Sequence, residues 1–269
     1  MYRKPTRGIQ LNRSHPLSRG LVGCWLFNEG GGGVLNYANK ELCPRTGTAT
    51  WKDTQMGGGI LFDYQNELVT SNQMPNITGK GLTLEVWLIP VSSVMNNNGL
   101  LQKGALSNNS GSYCLAVVDV VSFGLMFRLN NSITTGAGQV IGVVPHVAGE
   151  LSHAVATYDG KYQRTYWNGK FIAQEAYSTA INSNTNPLYF GTYFSPTYPA
   201  ISTITKASIW DRGLVAEEVK ALYEQPFQMF ESRTHAWMFY SPPVGGLSIP
   251  GFFGSTLSPV LPLIKGVNL

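Results

Sequence analysis

Residues 151–176 read LSHAVATYDGKYQRTYWNGKFIAQEA, and two turn dipeptides sit inside them, Asp159-Gly160 and Asn168-Gly169, each flanked by runs rich in Val, Thr, Tyr and Trp. Asp-Gly and Asn-Gly favour the positive φ angles of a two-residue type I′ turn, whose twist matches that of the strands it joins. The stretch therefore predicts a three-stranded antiparallel meander over 152–158, 162–167 and 170–176. Ala154, Ala156 and Tyr158 fall on one face, and His153, Val155 and Thr157 on the other. A meander of this size cannot stand alone and needs a second sheet packed against it.

The same pattern continues on both sides. Upstream, LVGCWLF begins at Leu21, and strands are predicted over Ile60 to Tyr64, Glu67 to Ser71, Leu82 to Pro90, Leu100 to Lys103, Tyr113 to Asp119, Gly124 to Asn130 and Gln139 to Val144. In LTLEVWLIP, Leu82, Leu84, Val86 and Leu88 oppose Thr83, Glu85, Trp87 and Ile89, so both faces carry bulk, as in a central strand. Downstream come Leu188 to Phe194 and Thr203 to Asp211. LVAEEVKALYEQ then places Val219, Leu222 and Tyr223 at helical spacing before Pro226. Many short strands, one helix and no crossover helices point to an all-β sandwich or barrel and argue against a parallel α/β sheet.

Composition narrows the function. The chain has 269 residues, 43% hydrophobic and 13% charged, with a formal charge of +4. Arg3, Lys4, Arg7, Arg13 and Arg19 lie in the first 19 residues, where there is no Asp or Glu; setting them aside leaves 14 basic residues against 15 acidic ones. A near-neutral body lacks the electrostatic footprint of nucleic-acid binding. Cys24, Cys43 and Cys114 show no metal-ligand spacing and read as buried free thiols. Gly30–Gly33 follow a strand, but neither Lys-Ser/Thr nor an amphipathic helix follows them, so they are a strand connection and not a phosphate loop. The basic N-terminus leads into no apolar run, so no secretory signal is expected, and no stretch reaches the length of an apolar transmembrane helix.

The order GGILFDYQNELV, LTLEVWLIP, LSHAVATYDGKYQRTYWNGKFIA, PLYFGTYF, ASIWDRGLVAEEVKALY resembles the laminin-G-like, concanavalin-A-like jelly-roll family. The resemblance implies two packed antiparallel sheets of six or seven strands each. SHPLSRGLVGCWLFNEGGG before the domain and ALYEQPFQMF after it resemble the versions found in bacteriophage and prophage virion proteins. Three segments follow: a basic extended N-terminal arm at 1–20, the jelly roll at 21–226 with one short C-terminal helix, and an apolar tail at 227–269.

Glycan-cleaving members of the superfamily carry two or three carboxylates at alternating positions of one strand, because a retaining mechanism sets nucleophile and acid about 5 Å apart. Here that strand offers Glu85 alone, with Trp87 two positions on, so no catalytic residue is assigned and no enzyme is expected. His15, His146, His153 and His235 show no nucleophile motif. Members of the family often hold calcium at a sheet rim, and the resemblance puts Asp63 at a family position with Asp119 as a second candidate, but STITKAS lacks the usual Asp before the last strand and one carboxylate is a poor calcium site, so no metal ligands and no cofactor are assigned.

The tail 227–269 holds seven aromatic residues, five prolines, five glycines and one acid, Glu231. It is too apolar for a disordered segment, has no core-forming period, and its prolines interrupt every apolar run that a membrane would need. Such a tail is expected to dock on another protein chain, and together with the resemblance of the flanks it implies a virion structural protein made in the host cytoplasm: a capsid decoration protein held on other virion proteins, the major capsid protein above all. It would be anchored through Arg3, Lys4, Arg7, Arg13, Phe227, Phe230, Trp237, Phe239, Phe252 and Phe253, and it would form a homo-oligomer. The alternative is a carbohydrate-binding module of a phage tail or adhesion device that meets host-surface glycan through Tyr193, Phe194 and Tyr198. Neither reading involves nucleic acid or a membrane.

Overall fold

The structure, a computed structural model, describes residues 2–230 except 7, 64–67, 75, 92–97, 105–110, 120–122, 131–136 and 194. By contacts the chain divides into Met1–Ser232 and Arg233–Leu269. The second unit lies outside the described residues.

The first unit is the expected two-sheet jelly roll. Its larger sheet runs Lys170–Ala176, Tyr162–Trp167, Ser152–Tyr158, Leu82–Pro90, Ser202–Trp210, Gly57–Phe62, Thr50–Thr54, with Leu21–Trp25 also paired to Ser202–Trp210. The second runs Gln139–Val143, Phe123–Leu129, Gly111–Asp119, Asn98–Gly104, Leu188–Phe190, Leu68–Ser71, Arg45–Thr46. All of these pairings are antiparallel. The sheets have eight and seven strands, one more than expected in the first, because Thr50–Thr54 extends it at one edge.

Period-two alternation fills the space between the sheets. Leu82, Leu84, Val86 and Leu88 meet Ala154, Ala156, Tyr158, Ile204, Ala207 and Ile209 from the larger sheet, and Leu101, Leu115, Val117, Leu125 and Phe127 face them from the smaller one. Cys24, Cys43 and Cys114 are buried free thiols. Asn168 and Gly169 both take positive φ, 50° and 74°, and the Asn168 carboxamide accepts from the His153 N–H at 2.8 Å. The Asp159-Gly160 turn differs from expectation. Only Gly160 is left-handed, at 88°, while the Asp159 carboxylate accepts from the N–H groups of Lys161 and Tyr162 at 2.9 and 2.8 Å and pairs with Arg164 at 2.6 Å. Side-chain bonding holds that aspartate out of the αL conformation.

The outer face of the larger sheet is covered as well. Cys24, Val155, Tyr166 and Trp210 pack with Ile9, Leu11 and Leu17 of the N-terminal stretch, Val219 and Leu222 of the helix Ala216–Glu224, and Met229 and Phe230. Leu11 forms a β-bridge with Phe230, the Asn12 N–H donates to the Met229 carbonyl at 2.8 Å, and the Trp210 indole donates to the Leu17 carbonyl at 2.6 Å. Residues 1–20 are thus, where described, part of the body and not an extended arm: Ile9, Leu11 and Leu17 gain more by covering an apolar sheet face than by staying in water. Glu218 closes the first turn of the helix. Its carboxylate accepts from the Val215 N–H at 3.1 Å and takes the Arg212 fork at 2.8 Å on each oxygen.

Candidate functional site

Glu85 is the single carboxylate of the strand Leu82–Pro90. In Leu82–Pro90 it points to the outer face. Register places it opposite Val155 and Ser208, and places Trp87 opposite His153 and Lys206. Glu85 Oε1 accepts from Trp87 Nε1 and His153 Nε2, both at 3.1 Å, and Oε2 accepts from Lys206 Nζ, which also donates to Ser208 Oγ at 3.1 Å. The side chains of Glu85, His153 and Lys206 are 0% exposed. The rings of Trp87 and His153 stack at 4.5 Å, Tyr223 of the helix lies parallel to Trp87 at 5.8 Å, and Tyr2 sets an edge against Trp87 at 5.2 Å.

Burial pushes the Glu85 carboxyl upward, but the Lys206 ammonium and the His153 hydrogen bond outweigh it and hold the group at about 2. Burial lowers His153, only partly offset by Glu85, so it stays neutral and donates from Nε2. The result is an anion, a cation and a neutral ring under an aromatic roof. Glycosidic cleavage by a retaining route needs a second carboxylate and a path for sugar and water; here Glu85 is paired with an ammonium from the neighbouring strand, and both side chains are sealed.

Both shifts have the same sign in stability. Glu85 below its unfolded value contributes stability above about 4.3 that is lost as pH falls toward 2. His153, below about 6.5, makes the unfolded chain the better proton acceptor as soon as pH drops under that value. Urea titrations should therefore show stability falling from about pH 6.5 downward, with a slope of up to about 1.4 kcal/mol per pH unit for each group. His153→Gln should remove the part of that fall that sets in just below about pH 6.5; an unchanged profile would refute the assignment.

The residues expected to grip partners are scattered. Arg3 is exposed. Lys4 is half-buried, its N–H on the Met56 carbonyl at 3.2 Å and its ammonium on Gly58 O. Arg13 is exposed, with one guanidinium nitrogen on Ala38 O. Phe227 is half-buried and Phe230 buried, both against the outer face of the larger sheet, so these two rings are committed to the fold. Arg7, Trp237, Phe239, Phe252 and Phe253 lie outside the described residues. Tyr193 and Tyr198 fall in the small pair Thr192–Tyr193 and Ser195–Pro199. Their side chains, and Phe194 entirely, lie outside the described residues. His15 Nδ1 accepts from the Leu17 N–H at 3.2 Å, and His146 leans on Phe123 at 4.2 Å, so neither joins His153. Asp63 and Asp119 are exposed, and among the described residues no three of His, Cys, Asp and Glu gather as metal ligands. Among them, too, no helix is long and apolar enough to cross a membrane.

Sequence reasoning missed Lys206 as the partner of Glu85. The available signal was a lysine in the middle of the alternating run STITKASIW, since an ammonium on a covered face needs an anion.

Sheet order and antiparallel pairing together define a concanavalin-A-like jelly roll. A laminin G family model, described as the concanavalin A-like lectin/glucanases superfamily, matches residues 63–220, more than half of the chain, and the chain belongs to that family. No curated protein matches the sequence. Among solved structures, the chain is similar to domain 4 of AbnA, an extracellular arabinanase from Geobacillus stearothermophilus, in complex with arabinotriose, at 13% identity and a TM-score of 0.55, over 76% of this chain and 98% of that one. It is also similar to the binding domain of Paraclostridial Mosquitocidal Protein 1, at 15% identity and 0.57, over 78% and 53%. A third similar structure is the receptor binding domain of botulinum neurotoxin type G, at 14% and 0.56, over 76% and 51%. The chain thus spans about half the length of the toxin domains, and at these identities the likeness establishes the fold.

Proposed function

We propose that this protein is a non-enzymatic structural protein of a bacteriophage-like virion, a capsid decoration protein made in the host cytoplasm, whose jelly roll is displayed outward. The observation that carries this reading is the segment after Phe230: apolar, broken by five prolines, with one acidic residue and no period that would let it build a core. Such a strip needs a protein surface to cover it. The occupant proposed is a coat lattice of other virion proteins, the major capsid protein first, with copies of this chain related by symmetry. The flanks SHPLSRGLVGCWLFNEGGG and ALYEQPFQMF support the same setting. Burial of Ile9, Leu11 and Phe230 in the body moves the anchoring role away from the N-terminal stretch and onto residues beyond 230.

Deletion of 231–269, which spares Phe227, Met229 and Phe230, should leave a folded domain that no longer joins particles assembled with the other virion proteins. Incorporation at the full-length level, scored by gel analysis of purified particles, would refute the tail anchor.

A second reading is a carbohydrate-binding module of a tail or host-adhesion device. It is favoured by the likeness to a domain solved with arabinotriose. The sealed, lysine-paired Glu85 supports a binding role over a hydrolytic one in either case.

A further inference from the structure

We propose that the open cavity between the glycine loop and the edge strand Thr50–Thr54 is a glycan subsite that takes one or two sugar units of a surface polysaccharide. This rests on the carbohydrate-binding reading of the domain, and it places the contact away from the Tyr193–Tyr198 segment. The cavity holds about 380 Å3 and is lined by Asn28, Gly30, Trp51, Lys52, Asp53 and Gly58. That is the lower end of the roughly 300–1,000 Å3 range of small-molecule sites, the size of a short oligosaccharide.

The lining has the chemistry of sugar recognition. Trp51 is half-buried, its inner part packed on the core, so the ring is held as a wall and loses little freedom on binding. An indole face presents a flat apolar surface to the C–H face of a pyranose. Asp53, two residues along the same strand face, is exposed, and Lys52 between them is exposed too. Among the described residues neither side chain forms an ion pair or hydrogen bond. A free carboxylate accepts from vicinal hydroxyls and a free ammonium donates to them. The Trp51 indole N–H is buried and meets no acceptor among the described residues, an unsatisfied donor of the kind that gathers at functional sites.

Access comes from glycine. Gly30, Gly31 and Gly32 are exposed, and a Cβ at Gly31 or Gly32 would meet nothing within 4 Å, so the loop frames the mouth without side chains. Gly58, paired with Asp53 across the two strands, also lines the cavity, and a Cβ there would sit tightly, 3.0 Å from the Phe27 carbonyl oxygen and 3.2 Å from Asn28 Cα. One acid balanced by one base gives no preference for a phosphate, and an open polar lining gives none for a lipid.

The test displays the biotinylated full-length protein on streptavidin over a printed array of bacterial surface polysaccharides. Wild type is compared with Asp53→Ala, Lys52→Ala, Trp51→Ala and the pair Tyr193→Ala/Tyr198→Ala. The subsite predicts a fall of at least tenfold in array signal for Trp51→Ala and several-fold for Asp53→Ala, with the tyrosine pair unchanged. Asp53 and Lys52 are exposed, so their variants report on binding without disturbing the core. Full binding by Asp53→Ala and Lys52→Ala, whatever Trp51→Ala does, overturns the subsite while leaving carbohydrate binding intact. Wild type silent on every polysaccharide overturns the carbohydrate reading and this inference with it.

Discussion

Lys206→Met should be among the most destabilising single substitutions in the body, costing about 3–5 kcal/mol because it leaves the Glu85 carboxylate sealed without its cation. For a domain of this size that lowers the melting temperature by roughly 10 °C. The physical content lies in the comparison with the double variant Glu85→Leu/Lys206→Met. Removing both charges takes away the attraction together with the desolvation cost of burying two ions, so the double variant should recover most of the loss. The hydrogen bonds from Trp87 and His153 to Glu85 would still be lost. Urea midpoints of the single and double variants decide the matter: a single variant as mild as the double means that the pair is not a closed unit.

Removal of residues 1–20 should prevent the domain from folding, although among its described residues the stretch forms only a 3-10 turn at Pro16–Ser18 and the single bridge from Leu11 to Phe230. Ile9, Leu11 and Leu17 are 7%, 7% and 4% exposed. At about 1.5–3 kcal/mol for each buried aliphatic side chain, their loss approaches the whole stability of an ordinary domain, roughly 5–15 kcal/mol. The deletion also uncovers Trp210 and strips its indole of the Leu17 carbonyl. A chain starting at Leu21 should aggregate, whereas one starting at Gly8 should fold with reduced stability. A Leu21 start with wild-type circular dichroism and melting would return these residues to the status of a free arm.

What the sequence discloses about this fold depends on where the information sits. Leu82–Pro90 and the three strands of the meander are legible to the residue, because their alternation is strong and their ends carry proline or tight turns. Thr50–Thr54 is not legible: TWKDT is polar on an edge, and the run after it, QMGGG, reads as a loop although Gly57–Phe62 is a strand. That gap hid Trp51 and Asp53. The Glu85 cluster was half legible. The missing second carboxylate stands in the local sequence, but the lysine that replaces its influence lies 121 residues away and is brought there only by the closing of the sheet. The N-terminal stretch misled for a similar reason. Three apolar residues among glycines and prolines have no period to read, and their burial is decided by a sheet face assembled elsewhere in the chain.

The middle of the larger sheet is completed by its last strand, Ser202–Trp210, which joins Leu82–Pro90, Gly57–Phe62 and Leu21–Trp25. During translation, therefore, three earlier strands wait with unsatisfied backbone edges, and Glu85 waits without its ammonium, until nearly the whole body has emerged from the ribosome. Such late, long-range closure makes for slow folding and for nascent chains that aggregate readily. Stop codons placed shortly before residue 202 should yield chains that depend on chaperones, while those placed after residue 230 should release a protein that needs no such escort.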